Sequence, residues 1–213
     1  MSSISGSLTK EPPRLMGVIN LTTDSFSDGG HLLSGKKVNL SKALRKAEKL
    51  INEGAHILDF GAESTRPGFT EIPSQVQIDR LIPILEQINN EDIMISVDSR
   101  DYKVLLEASK FGMRFINDVS KNISQKKLKL ARDKELFICT THHGNKTKKT
   151  SNILLDVYNF FQAKEKSYLS KGIDVKQCFF DPGFGYGKTP LENILIMTNI
   201  NFFKKENRKI LTS

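Results

Sequence analysis

Five polar residues close or punctuate short apolar runs in this chain. Asn20 follows Leu15-Met-Gly-Val-Ile, and Asp59 lies in His56-Ile-Leu-Asp-Phe60. Asp98 follows Ile93-Met-Ile-Ser-Val97, Asn117 follows Arg114-Phe-Ile, and Asp181 follows Gln177-Cys-Phe-Phe. Carboxylate and amide oxygens accept hydrogen bonds, and an amide can also donate. Any one of these residues alone is as readily a helix cap, because Asp and Asn are favoured there. Gathered at one place they would make a pocket rich in acceptors. Three other features invite chemistry and carry less. Arg66 has the planar fork that suits phosphate, although an exposed loop arginine is most often just solvated. The run Gly183-Phe-Gly-Tyr-Gly187 is a weak phosphate-loop signal by itself. His142 and His143 are adjacent, and neighbours on an extended segment point to opposite faces, so they do not easily share one metal ion.

The elements that must position these residues alternate regularly. Apolar runs begin near Leu15, His56, Ile93, Arg114, Leu136, Gln177 and Lys209, and amphipathic stretches lie between them. Leu40, Ala43, Leu44, Ala47, Leu50 and Ile51 recur at helical spacing, and Gly54 stops that helix. A second helix is expected from about Ser74 to Asn89, burying Val76, Leu81, Ile82, Leu85 and Ile88. Further helices are expected around 101–111, after the fourth strand in a lysine-rich stretch, at about 152–171 and near 191–198. Continuous apolar strands alternating with helices indicate a parallel α/β sheet. A (β/α)8 TIM barrel brings every strand end to one face, whereas an open doubly wound sheet uses one or two at its switch point. Five polar strand ends favour the barrel.

With 213 residues, the chain can form one domain with a sizeable core. It has no apolar run long enough for a membrane span and no secretory leader, so the cytoplasm is the expected location. Cys139 and Cys178 sit in apolar runs and are read as buried free thiols. The net charge of +8 comes from short lysine clusters without the interleaved aromatic rings of a base-stacking surface, so nucleic acid is not an expected partner.

Two long segments, Met16-Gly-Val-Ile-Asn-Leu-Thr-Thr-Asp-Ser-Phe-Ser-Asp-Gly-Gly30 and Asp59-Phe-Gly-Ala-Glu-Ser-Thr-Arg-Pro-Gly68, resemble the signature segments of dihydropteroate synthases. Ser96-Val-Asp-Ser99, Ile116-Asn-Asp118 and Asp181-Pro-Gly-Phe-Gly-Tyr-Gly-Lys188 follow in that family's order. The resemblance implies a single pterin-binding domain over residues 1–213. It implies an enzyme of folate biosynthesis that joins a pterin diphosphate to p-aminobenzoate and releases pyrophosphate, with Mg2+ as cofactor. By this resemblance Asp98, Asn117 and Asp181 bind the pterin, and Asp98 also stabilises positive charge developing on it. Asn20 contacts Mg2+. Thr65 and Arg66 lie near the substrate, with Arg66 suited to pyrophosphate. Phe26, Asp28 and Pro67 lie on loops that close over p-aminobenzoate.

Some positions depart from the family pattern. Thr23 stands where proline is usual, which is expected to loosen the first loop. Ala62 replaces a glycine, and Tyr186 stands where Phe is common. Thr141 occupies a usual Met position, a change expected to loosen the pterin pocket. The family's Ser-Arg-Lys and Arg-x-His segments would follow the point where Ile210-Leu-Thr-Ser213 closes the sequence. A complete barrel typically needs about 250 residues. The reading is therefore a barrel incomplete at its C-terminus, without its last strand and helices. Family members resemble homodimers through C-terminal helices, so a homodimer is doubtful for this chain. A pterin-binding remnant without catalysis is the alternative function.

Overall fold

The computed structural model describes residues 13–22, 32–34, 37–63, 71–88, 92–144, 152–204 and 208–212. Its elements run β1 (Met16–Asn20), β2 (Leu33–Ser34), β3 (Lys37–Val38), α1 (Leu40–Asn52), β4 (Ile57–Gly61) and α2 (Ser74–Leu85). They continue with β5 (Met94–Asp98), α3 (Tyr102–Ala108), β6 (Met113–Asp118), α4 (Gln125–Asp133) and β7 (Phe137–Thr141). The last are α5 (Ile153–Leu169), β8 (Cys178–Asp181), α6 (Pro190–Thr198) and β9 (Lys209–Ile210). Seven strands form one sheet in the order β1-β4-β5-β6-β7-β8-β9, all pairs parallel. This is an incomplete (β/α)8 barrel, with β1 and β9 each paired on one side only among the described residues. The short antiparallel pair β2–β3 forms a separate two-stranded sheet outside the barrel.

Strand alternation decides what each residue does. On β4, Asp59 and Gly61 share a face; on β5, Ser96 and Asp98; on β6, Phe115 and Asn117. Residues on the opposite faces, such as Phe60, Val97 and Ile116, are fully buried beneath the helices. Deeper on the first face, Phe115, Phe137 and Phe179 pack ring to ring, with centroids 4.9–6.4 Å apart. That aromatic floor leaves the polar strand ends above it as a separate layer.

Local signals set the helices. Asn39 caps α1 by accepting from the Lys42 N–H, and Asn152 caps α5 by accepting from Leu154 and Leu155. Thr189 and Glu192 form a reciprocal capping box, with Pro190 in the first turn of α6. The buried face of α2 differs from expectation. Gln77 and Arg80 are buried with Leu81, Ile84 and Leu85, while Val76 and Ile82 are only half-buried. This helix packs over the ends of β1 and β4, where carbonyl groups need donors that aliphatic side chains cannot provide.

Both thiols are buried and unpaired, as the sequence indicates. Arg208, just before β9, is buried and grips Glu165 of α5 through two hydrogen bonds of 2.6 and 2.7 Å. It lies over the rings of Tyr158, Phe161 and Phe180, so its role is to anchor β9 beneath α5.

Candidate active site

The register places Asn20 beside Gly61, Gly61 beside Asp98, and Asp98 beside Asn117 on four successive strands. Gly61 acts as the spacer. A Cβ built there would lie 3.3 Å from the Asn20 Oδ1, 3.8 Å from the Asp98 Cβ and 3.9 Å from the Asp98 Oδ2. The gap between an amide oxygen and a carboxylate therefore exists because this position has no side chain.

Asp59 lies one alternation deeper and is 4% exposed. It accepts a hydrogen bond from the Ser96 hydroxyl, and another from the Asn117 Nδ2 at 3.0 Å. The second bond fixes the Asn117 amide with its nitrogen inward and its Oδ1 free to accept. Burial pushes the Asp59 carboxyl above its ordinary range, and the bonds from Ser96 and Asn117 only partly offset this.

Asp98 is held differently. Its Oδ1 is buried and has no hydrogen-bond partner among the described residues. Burial, then the charges of Asp59 and Asp118, push its carboxyl well above the usual carboxylate range. A buried carboxylate oxygen without a partner costs free energy, so a donor from a ligand would be strongly favoured there. Asp118 faces the other way along β6 and forms a buried ion pair with Lys127 of α4, while accepting from the Ser120 N–H. One lysine of the lysine-rich helix is thus a structural partner rather than part of a solvated face.

Asp181 ends β8 and accepts from the Gly183 N–H at 2.7 Å. Thr141 places its hydroxyl 3.5 Å from the other Asp181 oxygen, so the position the sequence marks as a departure adds a weak polar contact. Gly183 has φ +69°, and a Cβ there would lie 2.2 Å from the His142 carbonyl oxygen, so only glycine fits. The Lys188 ammonium binds the carbonyls of His142, Gly183 and Tyr186, and burial lowers its pKa to about 8. The glycine segment therefore turns carbonyls inward around a lysine, whereas a phosphate cradle presents N–H groups.

The two histidines diverge as the alternation requires. The His142 ring packs against Phe160, 3.4 Å from the Asp156 carboxylate, and burial lowers its pKa to about 3. The His143 ring bonds the Val119 carbonyl and lies edge-on to Tyr186. Among the described residues no group of three or more His, Cys, Asp and Glu side chains could hold a metal ion.

Two residues the sequence reading passed over tie the loop bases together. Arg80 Nη1 donates to the Leu21 and Ala62 carbonyls, 3.2 and 2.9 Å away, joining the exits of β1 and β4. Glu63 accepts from the Ile72 N–H at 3.1 Å and from Arg100 at 2.9 Å. Phe26, Asp28, Thr65, Arg66 and Pro67, and the departure at Thr23, lie outside the described residues.

Residues 16–213 match the family described as Pterin binding enzyme. Dihydropteroate synthase of Haemophilus influenzae is 37% identical over 198 residues, covering 90% of this chain and 70% of that protein. The Bacillus subtilis dihydropteroate synthase is 36% identical, covering 91% and 67%. The chain belongs to the dihydropteroate synthases of the pterin-binding enzyme family. Its fold agrees: Yersinia pestis dihydropteroate synthase, solved in a sulfonamide drug complex, superposes with a TM-score of 0.83 at 31% identity, covering 94% of this chain and 74% of that one. The Xanthomonas albilineans dihydropteroate synthase with 4-aminobenzoic acid gives 0.81 at 30% identity, covering 94% and 72%.

Proposed function

We propose that this chain condenses a hydroxymethyldihydropterin diphosphate with p-aminobenzoate, giving dihydropteroate and pyrophosphate in folate biosynthesis. The observation that carries the reading is the buried Oδ1 of Asp98, without a hydrogen-bond partner among the described residues, beside an Asn117 whose Nδ2 is tied to Asp59 and whose Oδ1 is left to accept. Together with Asp181 they offer acceptors to the amino and ring N–H groups of a pterin.

The C–O bond between the pterin methylene and the diphosphate breaks, and its electron pair leaves with pyrophosphate. The amine nitrogen of p-aminobenzoate forms the new C–N bond and gives up a proton. Asp98 stabilises the positive charge that develops on the ring, most effectively in a site shielded from water. The gap at Gly61, with the Asn20 oxygen on one side, suits a hard cation that takes one or two protein oxygens and completes its shell with water and phosphate oxygens. Asn20 would hold Mg2+ there, and the ion when bound would supply charge to the departing diphosphate. Arg66 is the proposed diphosphate contact, and Thr65, Phe26, Asp28 and Pro67 are proposed around p-aminobenzoate. The same reading places the enzyme in the cytoplasm; among the described residues no helix is long and apolar enough to cross a membrane.

Calorimetry with a pterin ligand tests the pocket, and a coupled assay for pyrophosphate and dihydropteroate tests the reaction. Equal affinity in wild type and Asp98→Ala would remove Asp98 from the site. Pterin binding without product would favour a binding fragment over an enzyme.

A further inference from the structure

We infer that Asp59 is a positioning residue that sets ligand specificity by locking the orientation of the Asn117 amide. The inference rests on the pterin reading of the pocket and goes beyond it. An asparagine side chain can present either oxygen or nitrogen, and a half-turn exchanges an acceptor for two donors. Nothing on β6 itself decides between them. The decision comes from two strands away, where the Asp59 Oδ2 accepts the Asn117 Nδ2 at 3.0 Å across β5. The other oxygen of Asp59 accepts from the Ser96 hydroxyl, so Oδ2 alone faces the Asn117 amide. The flipped amide would set its oxygen against the buried carboxylate oxygen of Asp59, leaving two acceptors facing each other.

The consequence is a pocket wall of acceptors. Among the described residues Asp98 Oδ1 has no partner, and Asn117, with one Nδ2 hydrogen committed to Asp59, has its oxygen left to accept. Such a wall takes a ligand edge of adjacent donors, as in a 2-amino-4-oxopteridine, and rejects an edge that carries a carbonyl in place of the amine. Specificity of this kind comes as much from repelling the wrong edge as from binding the right one. With Asp59 changed to asparagine, the partner could itself donate or accept, and Asn117 would be free to turn.

The experiment compares the full chain with Asp59→Asn and Ser96→Ala, measuring affinity for 2-amino-4-oxopteridine and 2,4-dioxopteridine by calorimetry. Wild type should favour the amino compound by on the order of 100-fold or more. Asp59→Asn should lower that ratio about tenfold, chiefly by binding the dioxo compound better. Ser96→Ala, which removes the other bond to Asp59, should leave the ratio within about twofold. A purely structural role would weaken both ligands together and leave the ratio unchanged in Asp59→Asn, which would overturn the inference. If wild type binds neither pteridine, the pocket assignment fails and the inference falls with it. Should Asp59→Asn not fold, exchange of the Asn117 side-chain amide protons in wild type decides. Slow exchange supports the lock, and exchange as fast as in an exposed asparagine overturns it.

Discussion

The Asn20 side-chain oxygen and the Asp98 carboxylate flank a gap that the missing side chain of Gly61 keeps open. The Gly61 backbone does not lie in the left-handed region, so alanine would be adopted there without strain. The added methyl would press on the Asn20 oxygen at 3.3 Å and narrow the space beside Asp98. Gly61→Ala should leave the thermal midpoint within a few degrees of wild type while weakening binding of pterin with diphosphate and Mg2+ by at least about tenfold, the effect of a lost charged hydrogen bond. Undiminished ligand affinity in a folded Gly61→Ala protein would show that the gap is not used.

Asp98 is expected to trade stability for function. Its carboxyl is buried and shifted upward, so the folded protein holds that proton more tightly than the unfolded chain. The resulting contribution to stability is present at low pH and lost as pH rises through the folded pKa. Above the folded pKa the uncompensated carboxylate is a cost. Asp98→Asn should raise the thermal midpoint by a few degrees and weaken pterin binding by about tenfold or more. Calorimetric melting beside ligand titration checks both, and a variant that melts lower and binds equally well would contradict the assignment.

The barrel and the strand-end acceptors were legible in the sequence because each is a local pattern. An apolar run ending in Asp or Asn can be read without knowing its neighbours, and Asn20, Asp98, Asn117 and Asp181 fall where that pattern put them. Contacts across strands or between helix and strand were not legible. Asp59 was visible as a polar strand end, but its hold on Asn117 depends on register across β5. Arg80 lies off the apolar stripe that the periodicity marks on α2, and its burial follows from carbonyls at Leu21 and Ala62 that no periodicity reveals. Gly61 looked like part of a loop signature, and only the facing side chains give it a spacing role.

His142 should make the protein acid-sensitive in a defined window. The unfolded imidazole takes a proton near pH 6.5 and the folded one only near about 3, because it is buried against α5. Between those values the unfolded chain binds more protons, so this residue's contribution to stability falls as pH falls. The Asp156 carboxylate at 3.4 Å lies on the more exposed side and does not offset the burial. The stability of His142→Phe relative to wild type should therefore increase steadily from about pH 6.5 downward. A difference that stays constant across that range, in urea titrations at several pH values, would exclude the effect.

Arg208 and Glu165 should behave as a unit. The arginine is 5% exposed, and its guanidinium is bidentate on the carboxylate. Arg208→Ala leaves the mostly buried Glu165 carboxylate without its bidentate partner and should cost about 3–5 kcal/mol. Replacing both with methionine removes the stranded charge and should recover most of that loss. A double-mutant cycle from urea midpoints measures the coupling, and additive losses would mean the pair is not a unit.

The outer face of α6 should drive self-association of this 213-residue chain. Leu191, Ile194, Leu195 and Met197 are 66%, 57%, 40% and 63% exposed, and 191, 194 and 195 follow the spacing of one helical stripe. Leu15 and Val18 add exposed apolar surface at β1, one of the two strands paired on a single side among the described residues. Monomeric proteins rarely leave contiguous apolar surface of more than a few hundred Å² in water, and a stable interface needs about 800 Å² from each partner. A second copy is the partner every solution of this chain contains, and a helical stripe can pack against its own symmetry mate. Light scattering should give a mass above that of one chain, rising with concentration. Leu191→Glu combined with Ile194→Lys should shift the mass toward the monomer without lowering the thermal midpoint, because both side chains are already in water. A wild-type mass that stays at one chain over a hundredfold range of concentration would show that this surface is tolerated as it stands.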